Sequence, residues 1–283
     1  MDNNIKFSKR NLKKFNITDS RKRCLKYRRK LLDISQTVTA LHSGGALSSM
    51  EIVDFIYYGL IYNKNIPDGS RNTFLMSKGH GCMSQYIVLN ELGILDDKHL
   101  ETYCKSNGIL GCHPDFGNPG IEASTGSLGH GMGLATGMAY FEKINKTNNN
   151  IYVVLSDGEL QEGSTWEAMM MAANLQLDNL ICFLDHNGSQ SFGNTKITHP
   201  KFYPINSKIK SFNWSVGKAN GHDVKAISNS LNNRKENKPH MTICDTIKGK
   251  GVSFMENKPI WHYRSPNSEE YKIAINELTQ VYS

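Results

Sequence analysis

The fold is decided by residues 151–190, which read IYVVLSDGELQEGSTWEAMMMAANLQLDNLICFLDHNGSQ. Two short apolar runs, Ile151–Leu155 and Leu180–Leu184, flank a segment with helical spacing between Trp166 and Gln176. A strand, a helix and a strand within about 35 residues predict a right-handed βαβ unit with parallel strands. Such a unit indicates an α/β fold: an open, mostly parallel sheet with helices on both faces.

Outward from this unit the same alternation continues. Further strands are predicted at Phe74–Met76 and Met241–Asp245, and further helices at 19–39, 48–61, 82–93 and 223–235. Capping boxes are predicted at Ser48-x-x-Glu51 and Ser164-x-x-Glu167. We therefore predict one α/β domain over residues 21–283, with a C-terminal extension, after a basic polar segment over residues 1–20.

The composition excludes several classes of protein. Of the 283 residues, 39% are hydrophobic and 21% charged, which argues against disordered, collagen-like and coiled-coil chains. The chain shows no apolar run of the roughly 18 residues that a membrane span needs. The six cysteines are scattered without a C-x-x-C pair, and the N-terminus lacks the apolar core of a secretory signal. We expect a reduced, cytoplasmic protein with no membrane partner.

The net charge of +7 is concentrated at the start of the chain, where residues 1–30 hold twelve Lys and Arg but two Asp. One interpretation is an arm for nucleic acid or a membrane surface. The other is a solvated tail that leads into a helix, or a docking strip for an acidic partner. The second is favoured, because apolar residues occur among the basic ones as they do in a packed helix. These residues are Phe7, Phe15, Leu25, Tyr27, Leu31 and Leu32. A nucleic-acid partner is therefore not expected.

Two polar residues follow neighbouring strands of the predicted sheet. Asp157 closes the first strand of the unit and Asn187 lies just past the second. Carboxyl ends of parallel strands are where open α/β sheets bind ligands, and carboxylate and amide oxygens suit Mg²⁺ or Ca²⁺. Gly158 lets the backbone approach a phosphate, and the helix that follows presents free N–H groups. The sequence predicts a divalent cation that holds a pyrophosphate.

The stretch Asp157–Gln190 closely resembles the thiamine-diphosphate motif of transketolases, with its G-D-G, E-G-x-x-W-E-A and D-x-N elements. Further blocks resemble the same family and occur in its order. These blocks are HSGGALS (42–48), FLMSKGH (74–80), GCHP (111–114), TGSLGHG (125–131), TIKGKGVSFME (246–256) and Trp261-His262. The resemblance covers about residues 25–275 and implies the family's thiamine-diphosphate-binding fold.

The resemblance also implies a cofactor and a metal. Asp157, Asn187 and the Ser189 carbonyl would ligate Mg²⁺, or Ca²⁺ or Mn²⁺ in its place. Gly158 and His262 would contact the diphosphate of thiamine diphosphate.

Other matched positions would surround the rest of the cofactor and the sugar. Cofactor contacts are implied for His80, Gly126, Ser127, Leu128 and Glu162. Glu162 and Glu167 would lie at a subunit interface. His42 and His113 would reach the substrate end of the channel, so the implied catalytic histidines are His42, His80, His113 and His262.

The chain departs from the family pattern at two positions. Ser156 replaces the first glycine of G-D-G, which is unfavourable if that position needs a positive φ. Leu41 stands where the family usually has glycine before His42.

The resemblance covers the N-terminal, diphosphate-binding half of a transketolase, so we expect a split enzyme. A separate C-terminal subunit would supply the pyrimidine-binding domain and the activating glutamate, most simply in an α2β2 heterotetramer. The implied reaction moves a two-carbon ketol unit from a ketose or ketose phosphate to an aldehyde, with little activity from the lone chain. Alternatives are a deoxyxylulose-phosphate-synthase-like or 2-oxo-acid-utilising thiamine-diphosphate enzyme, or a non-catalytic scaffold subunit.

Overall fold

The centre of the molecule is a five-stranded sheet in which every neighbouring pair of strands is parallel. The computed structural model describes residues 17–39, 41–61, 71–191 and 193–280. The strand order is β1-β2-β3-β7-β6, and β4 and β5 form a separate short hairpin. The strands are β1 (Thr73–Met76), β2 (Ile151–Ser156), β3 (Leu180–His186), β4 (Ser189–Gln190), β5 (Gly193–Asn194), β6 (Ser215–Asn220) and β7 (His240–Asp245). The predicted βαβ unit and fold class are confirmed.

Helices cover both faces of this sheet. The α-helices are α1 (Ile17–Ser35), α2 (Ser43–Ser48), α3 (Met50–Asp54), α4 (Cys82–Glu91), α5 (Asp97–Glu101), α6 (His130–Ile144), α7 (Gly163–Asn174), α8 (Thr195–Thr198), α9 (Ile205–Ser211), α10 (Val224–Ser230) and α11 (Ser268–Gln280). A π-helix runs from Phe55 to Ile61. Short 3₁₀ turns lie at Gly79–Gly81, Glu159–Gln161, Pro200–Phe202, Leu231–Asn233 and Pro259–His262. Within the described residues, no helix combines the length and apolarity that a bilayer crossing demands.

The two central strands are buried on both faces. Tyr152 and Val154 pack into one core layer, against α1, α3 and α4, while Val153 and Leu155 pack into the other, against α6 and α7. Residues of β3 alternate in the same way, and Cys182 is buried. Burial on both faces explains why these strands read as continuous apolar runs rather than as alternating ones.

The basic N-terminal helix is docked on the domain through its charges as well as its apolar residues. Arg23 pairs with the buried Asp54 at 2.7 Å, and Arg28 pairs with Glu51 at 2.7 Å. Tyr27, Leu31 and Leu32 are buried, as the helical interpretation predicts, whereas Phe7 and Phe15 lie outside the described residues. Acidic groups of the domain therefore neutralise part of the basic charge of α1.

Several local predictions are wrong. Ser48 and Ser164 do not cap helices: Ser48 donates to Asp185 at 2.6 Å, and Ser164 donates to the Gly129 carbonyl at 3.1 Å. The helix predicted at 48–61 is divided among α2, α3 and the π-helix. Strand β6, which contains a glycine and a lysine, was not predicted at all.

The Arg23–Asp54 pair generates a stability prediction. Asp54 is fully buried and also accepts hydrogen bonds from Ser20 and Tyr27. Asp54→Asn removes the counter-charge of Arg23 and is expected to lower the free energy of unfolding by about 3 kcal/mol in urea titrations. Asp97→Asn is the control, because the Asp97–Lys30 pair is exposed and should contribute little. Equal losses of unfolding free energy in Asp54→Asn and Asp97→Asn would show that the buried Arg23–Asp54 pair does not hold α1 on the domain.

Candidate functional site

The carboxyl ends of β1, β2, β3 and β7 meet at one edge of the sheet, and the segments that follow them border a cavity of about 370 Å³. This size suits a small organic ligand. The predicted residues that line it are His42, His80, His113, Gly126, Leu128, Gly158, Glu162, Asn187, Ser189 and His262. Asp157 lies just behind this lining, and Ser127 lies outside it.

Four predicted histidines converge although they come from distant parts of the chain. The ring centroid of His42 lies 5.7 Å from that of His80, 5.8 Å from that of His113 and 5.4 Å from that of His262. Tyr263 covers His42 at 4.4 Å. Clustering of this kind on one wall predicts a shared role in hydrogen bonding or proton transfer.

Three of these histidines, His42, His80 and His262, favour their neutral form. Burial lowers the pKa of His42 to about 4, with further lowering by His262, His113 and Lys248. Burial also lowers the pKa of His262 to about 4, assisted by Lys248, and holds that of His80 well below its usual value. A neutral imidazole can donate at one nitrogen and accept at the other, so this wall can exchange protons with hydroxyl groups.

Lys248 is a site residue that the sequence reasoning missed. It lines the cavity on the loop after β7, and its Nζ lies 3.1 Å from His262 Nδ1. Burial lowers its pKa to about 8, which leaves it mostly charged at neutral pH. The signal lay in the TIKGKG block, where a lysine lies three residues after a buried strand. A cation at this position favours an anionic ligand.

Asp157 is a carboxylate that forms no ion pair with any residue that the structure describes. It is fully buried, and its oxygens accept from the Gly188 N–H at 2.7 Å and the Gly158 N–H at 3.1 Å. Burial is the main cause that raises its pKa to about 7. The position therefore suits a cation, which would restore the ionised carboxylate.

The two other predicted ligands lie on either side of Gly188, and so next to Asp157. Asn187 Oδ1 accepts from the Ser189 N–H at 3.0 Å and keeps a second lone pair. A side chain placed at Gly158 would come within 3.9 Å of the Ser189 carbonyl oxygen. Among the described residues no three His, Cys, Asp or Glu side chains form a metal-binding group. One carboxylate, one amide and one carbonyl nevertheless form the all-oxygen set that Mg²⁺ accepts.

Unpartnered polar atoms and a close-packed glycine pair suit a bound cofactor. His42 Nδ1 and Gln161 Nε2 are buried at the lining and find no hydrogen-bond partner among the described residues. Gly126 has φ +146°, and a side chain at Gly79 would come within 2.7 Å of its backbone. The glycines thus let the loop after β1 approach the Gly-rich loop, residues 125–129, which leads into α6.

Position 156 accepts its serine without backbone strain. Ser156 is absent from the residues with positive φ, and its Oγ accepts from the Glu159 N–H at 3.2 Å. Glu159 was also missed by the sequence reasoning. It is fully buried and accepts from Ser77 Oγ at 2.6 Å and from the Gly129 N–H at 3.1 Å. It therefore ties the end of β1 to the Gly-rich loop.

Comparisons with known proteins agree with this geometry. Residues 20–275 match the family described as transketolase, thiamine diphosphate binding domain. The chain is 38% identical over 244 residues to one of the subunits of the apulose-4-phosphate transketolase of Actinobacillus succinogenes, which covers 84% of this chain and 87% of that one. It is 36% identical to a 6-deoxy-6-sulfo-D-fructose transketolase subunit of Clostridium sp., which covers 84% and 88%.

A solved structure gives the same result for the fold. The transketolase of Campylobacter jejuni superposes with a TM-score of 0.86 at 26% identity, and the match covers 94% of this chain. It covers 43% of the C. jejuni chain, so this chain spans less than half of that transketolase. By contrast, it matches the two subunit-type relatives over most of their length.

The lowered histidine pKa values generate a pH prediction. An unfolded histidine has a pKa near about 6.5, whereas His42 and His262 have values of about 4 in the folded chain. Below about pH 6.5 the unfolded state binds protons that the folded state does not, so stability is lost as the pH falls towards 4. Asp157 and Glu159, whose pKa values are raised to about 7, contribute with the opposite sign in this window. We therefore expect the histidine contribution to appear as a difference between variants: as the pH falls from about 6.5 to 4, His42→Gln and His262→Gln should each lose less free energy of unfolding in urea than the unmodified chain.

His130→Gln is the control for this measurement, because His130 is exposed at the start of α6. Its pH dependence should match that of the unmodified chain. An unchanged decline in both site variants would show that His42 and His262 do not cause it.

Proposed function

The chain belongs to the transketolase family, and from that premise we propose that it is the diphosphate-binding, N-terminal subunit of a split enzyme that transfers a two-carbon ketol unit. The donor would be a ketose or ketose phosphate and the acceptor an aldehyde. The observation that carries the proposal is the buried carboxylate of Asp157, which has no ion-pair partner among the described residues, beside a wall of clustered histidines.

We propose distinct roles for the two sides of the cavity. Asp157, Asn187 and the Ser189 carbonyl would hold Mg²⁺, and Gly158, His80, His262 and Lys248 would face the diphosphate. Thiamine diphosphate, when bound, supplies the carbon nucleophile for cleavage of the ketose carbon–carbon bond. The positive charge of Lys248 would partly neutralise the negative charge of the diphosphate.

The histidine wall would act on the sugar. His42 and His113 would hydrogen-bond donor hydroxyls and move protons to or from them, since both are placed to accept or donate. Gly126, Ser127 and Leu128 would contact the cofactor rings, and Glu162 would lie beside them.

Exposed apolar residues near the cavity mouth support a second polypeptide there. Phe116, Ile197, Ile260 and Tyr263 are each more than half exposed and flank the lining segments. Apolar groups of this size around a polar cavity are typical of a protein interface. We propose that a C-terminal transketolase-like subunit covers them and supplies the pyrimidine-binding domain and the activating glutamate.

A second apolar face supports the α2β2 assembly. Leu134 and Phe141 on α6 lie exposed beside Met170 and Met171 on the neighbouring helix α7. Glu162 and Glu167, predicted at an interface, are exposed at the start of α7. We propose that this face binds a second copy of the chain. The six cysteines are free thiols, which supports a cytoplasmic location.

The metal assignment predicts the effect of removing either side-chain ligand. Asp157→Ala and Asn187→Ala are expected to weaken Mg²⁺-dependent binding of thiamine diphosphate by about 100-fold or more, because each removes a direct ligand. Calorimetry on the chain assembled with its partner gives the affinity, and circular dichroism checks the fold. Glu236→Ala is the control, because Glu236 is exposed on the segment after α10 and lies outside the cavity lining. Unchanged affinity in both ligand variants would remove the metal assignment.

The split architecture predicts that turnover depends on the partner. The lone chain should transfer glycolaldehyde units at least about 100-fold more slowly than the chain co-purified with a C-terminal transketolase-like subunit of the same organism. The same complex should not decarboxylate pyruvate, which would be the activity of a 2-oxo-acid enzyme. Rapid transfer by the lone chain would contradict the split architecture.

A further inference from the structure

A buried ion pair lies beneath the cavity, outside its lining. Lys78, at the end of β1, and Asp185, in β3, are both fully buried, and Lys78 Nζ lies 2.5 Å from Asp185 Oδ2. Lys78 also donates to the Gly45 carbonyl at 2.7 Å. Removing two charges from water is unfavourable, and a buried pair often adds little net stability. Because stability alone does not account for this pair, its place beneath the cavity indicates a role in the site.

Asp185 is held by donors from several elements. Ser48 Oγ on α2 donates to Oδ2 at 2.6 Å, and Thr246 Oγ1, after β7, donates to Oδ1. Lys78 Nζ and Asn187 Nδ2 also donate to Oδ2, the latter at 3.1 Å. Each of these contacts uses Asp185 as an acceptor, and the ammonium of Lys78 favours its ionised form. The carboxylate is thus a fixed acceptor two residues before Asn187.

The amide of Asn187 has two ends of nearly the same shape and opposite chemistry. An ionised carboxylate can only accept, so the end that faces Asp185 must be the NH₂ group. The oxygen then points the other way, where it meets the Ser189 N–H at 3.0 Å. Only the oxygen end of an amide can bind a cation.

We propose that Asp185, held by Lys78, is a positioning residue that orients the Asn187 amide so that its oxygen faces the cation site. This inference rests on the proposed function, because it assigns a purpose to the orientation of one proposed metal ligand. The competing explanation is that the pair serves folding alone, by joining α2, β1 and β3.

The test compares Mn²⁺ affinity, followed by electron paramagnetic resonance with thiamine diphosphate present, in the chain assembled with its partner. Lys78→Met combined with Asp185→Asn removes the ammonium that would fix the new amide, so either end of that amide can face Asn187, and we expect Mn²⁺ binding to weaken by about 10- to 100-fold, the usual effect of losing an outer partner of a metal ligand. Thr246→Val is the matched control. It removes another hydrogen bond to Asp185 and should change the affinity less than about 3-fold.

A second variant separates orientation from folding. Adding Asn187→Asp to those two substitutions keeps the hydrogen bond in the reverse direction, and the metal meets a carboxylate with two equivalent oxygens. Mn²⁺ affinity should return to within about 5-fold of the unmodified chain, although the buried ion pair is still absent.

A readout without metal tests the orientation itself. In the unmodified chain the side-chain NH₂ of Asn187 should give proton resonances that exchange slowly with solvent, and Lys78→Met combined with Asp185→Asn should accelerate that exchange. Unchanged Mn²⁺ affinity in this double variant, with binding by the unmodified complex intact, would overturn the positioning role alone. Absence of Mn²⁺ binding by the unmodified complex would overturn the proposed metal site and this inference together.

Discussion

The parallel pairing of β2 with β3, in which Ser156 lies opposite Asp185, is the constraint on which the site depends. It brings the residues that follow each strand to one edge of the sheet, so that the Gly188 N–H reaches Asp157 at 2.7 Å. Pairing of β1 with β2 and of β7 with β3 adds the loops that carry His80 and Lys248. A shift of one residue in either central strand would exchange its two buried faces and displace the polar ends.

Charge is distributed unevenly around this edge. Asp157 and Glu159 are buried carboxyl groups, each with its pKa raised to about 7 mainly by burial, whereas Asp185 has the ammonium of Lys78 beside it. The cavity lining also carries Lys248, which is mostly charged, and His42, His80 and His262, whose pKa values burial lowers. The cavity thus offers an acidic side for a cation and a basic side for an anion, as a metal-bound diphosphate requires.

The sequence predicted the architecture well where the signal was local. The runs IYVVL and LICFL could be identified as strands because burial on both faces demands apolar residues throughout. Strand β6, with the sequence SVGKAN, was not predicted because it is an outer strand of the sheet. Its residues alternate between buried and more exposed positions, so they do not form a continuous apolar run. The serines at 48 and 164 fit a capping pattern, yet their hydroxyl groups bond partners remote in sequence. A local pattern cannot reveal such partners.

The same division holds for the site. The sequence could single out the histidines and the proposed strand-end ligands because each lies in a block that resembles a known family, and the fold brings most of them to one cavity. Lys248 and Glu159 lie in such blocks too, but their importance depends on burial and on contacts across the sheet. The support that Asp185 gives to Asn187 could be seen only once donors and acceptors were assigned.

The uncovered methionines of α7 and aromatic residues of α6 bear on how a cell must manage this polypeptide. Exposed apolar surface of this kind can bind other apolar surfaces and so promote aggregation. A partner that covers it lowers the concentration of aggregation-prone chain. The relative rates at which this chain and its partners are synthesised therefore set the fraction of the chain that stays unbound. Matched synthesis of the chain and its partners then affects solubility in the cell, as the charge of the chain does.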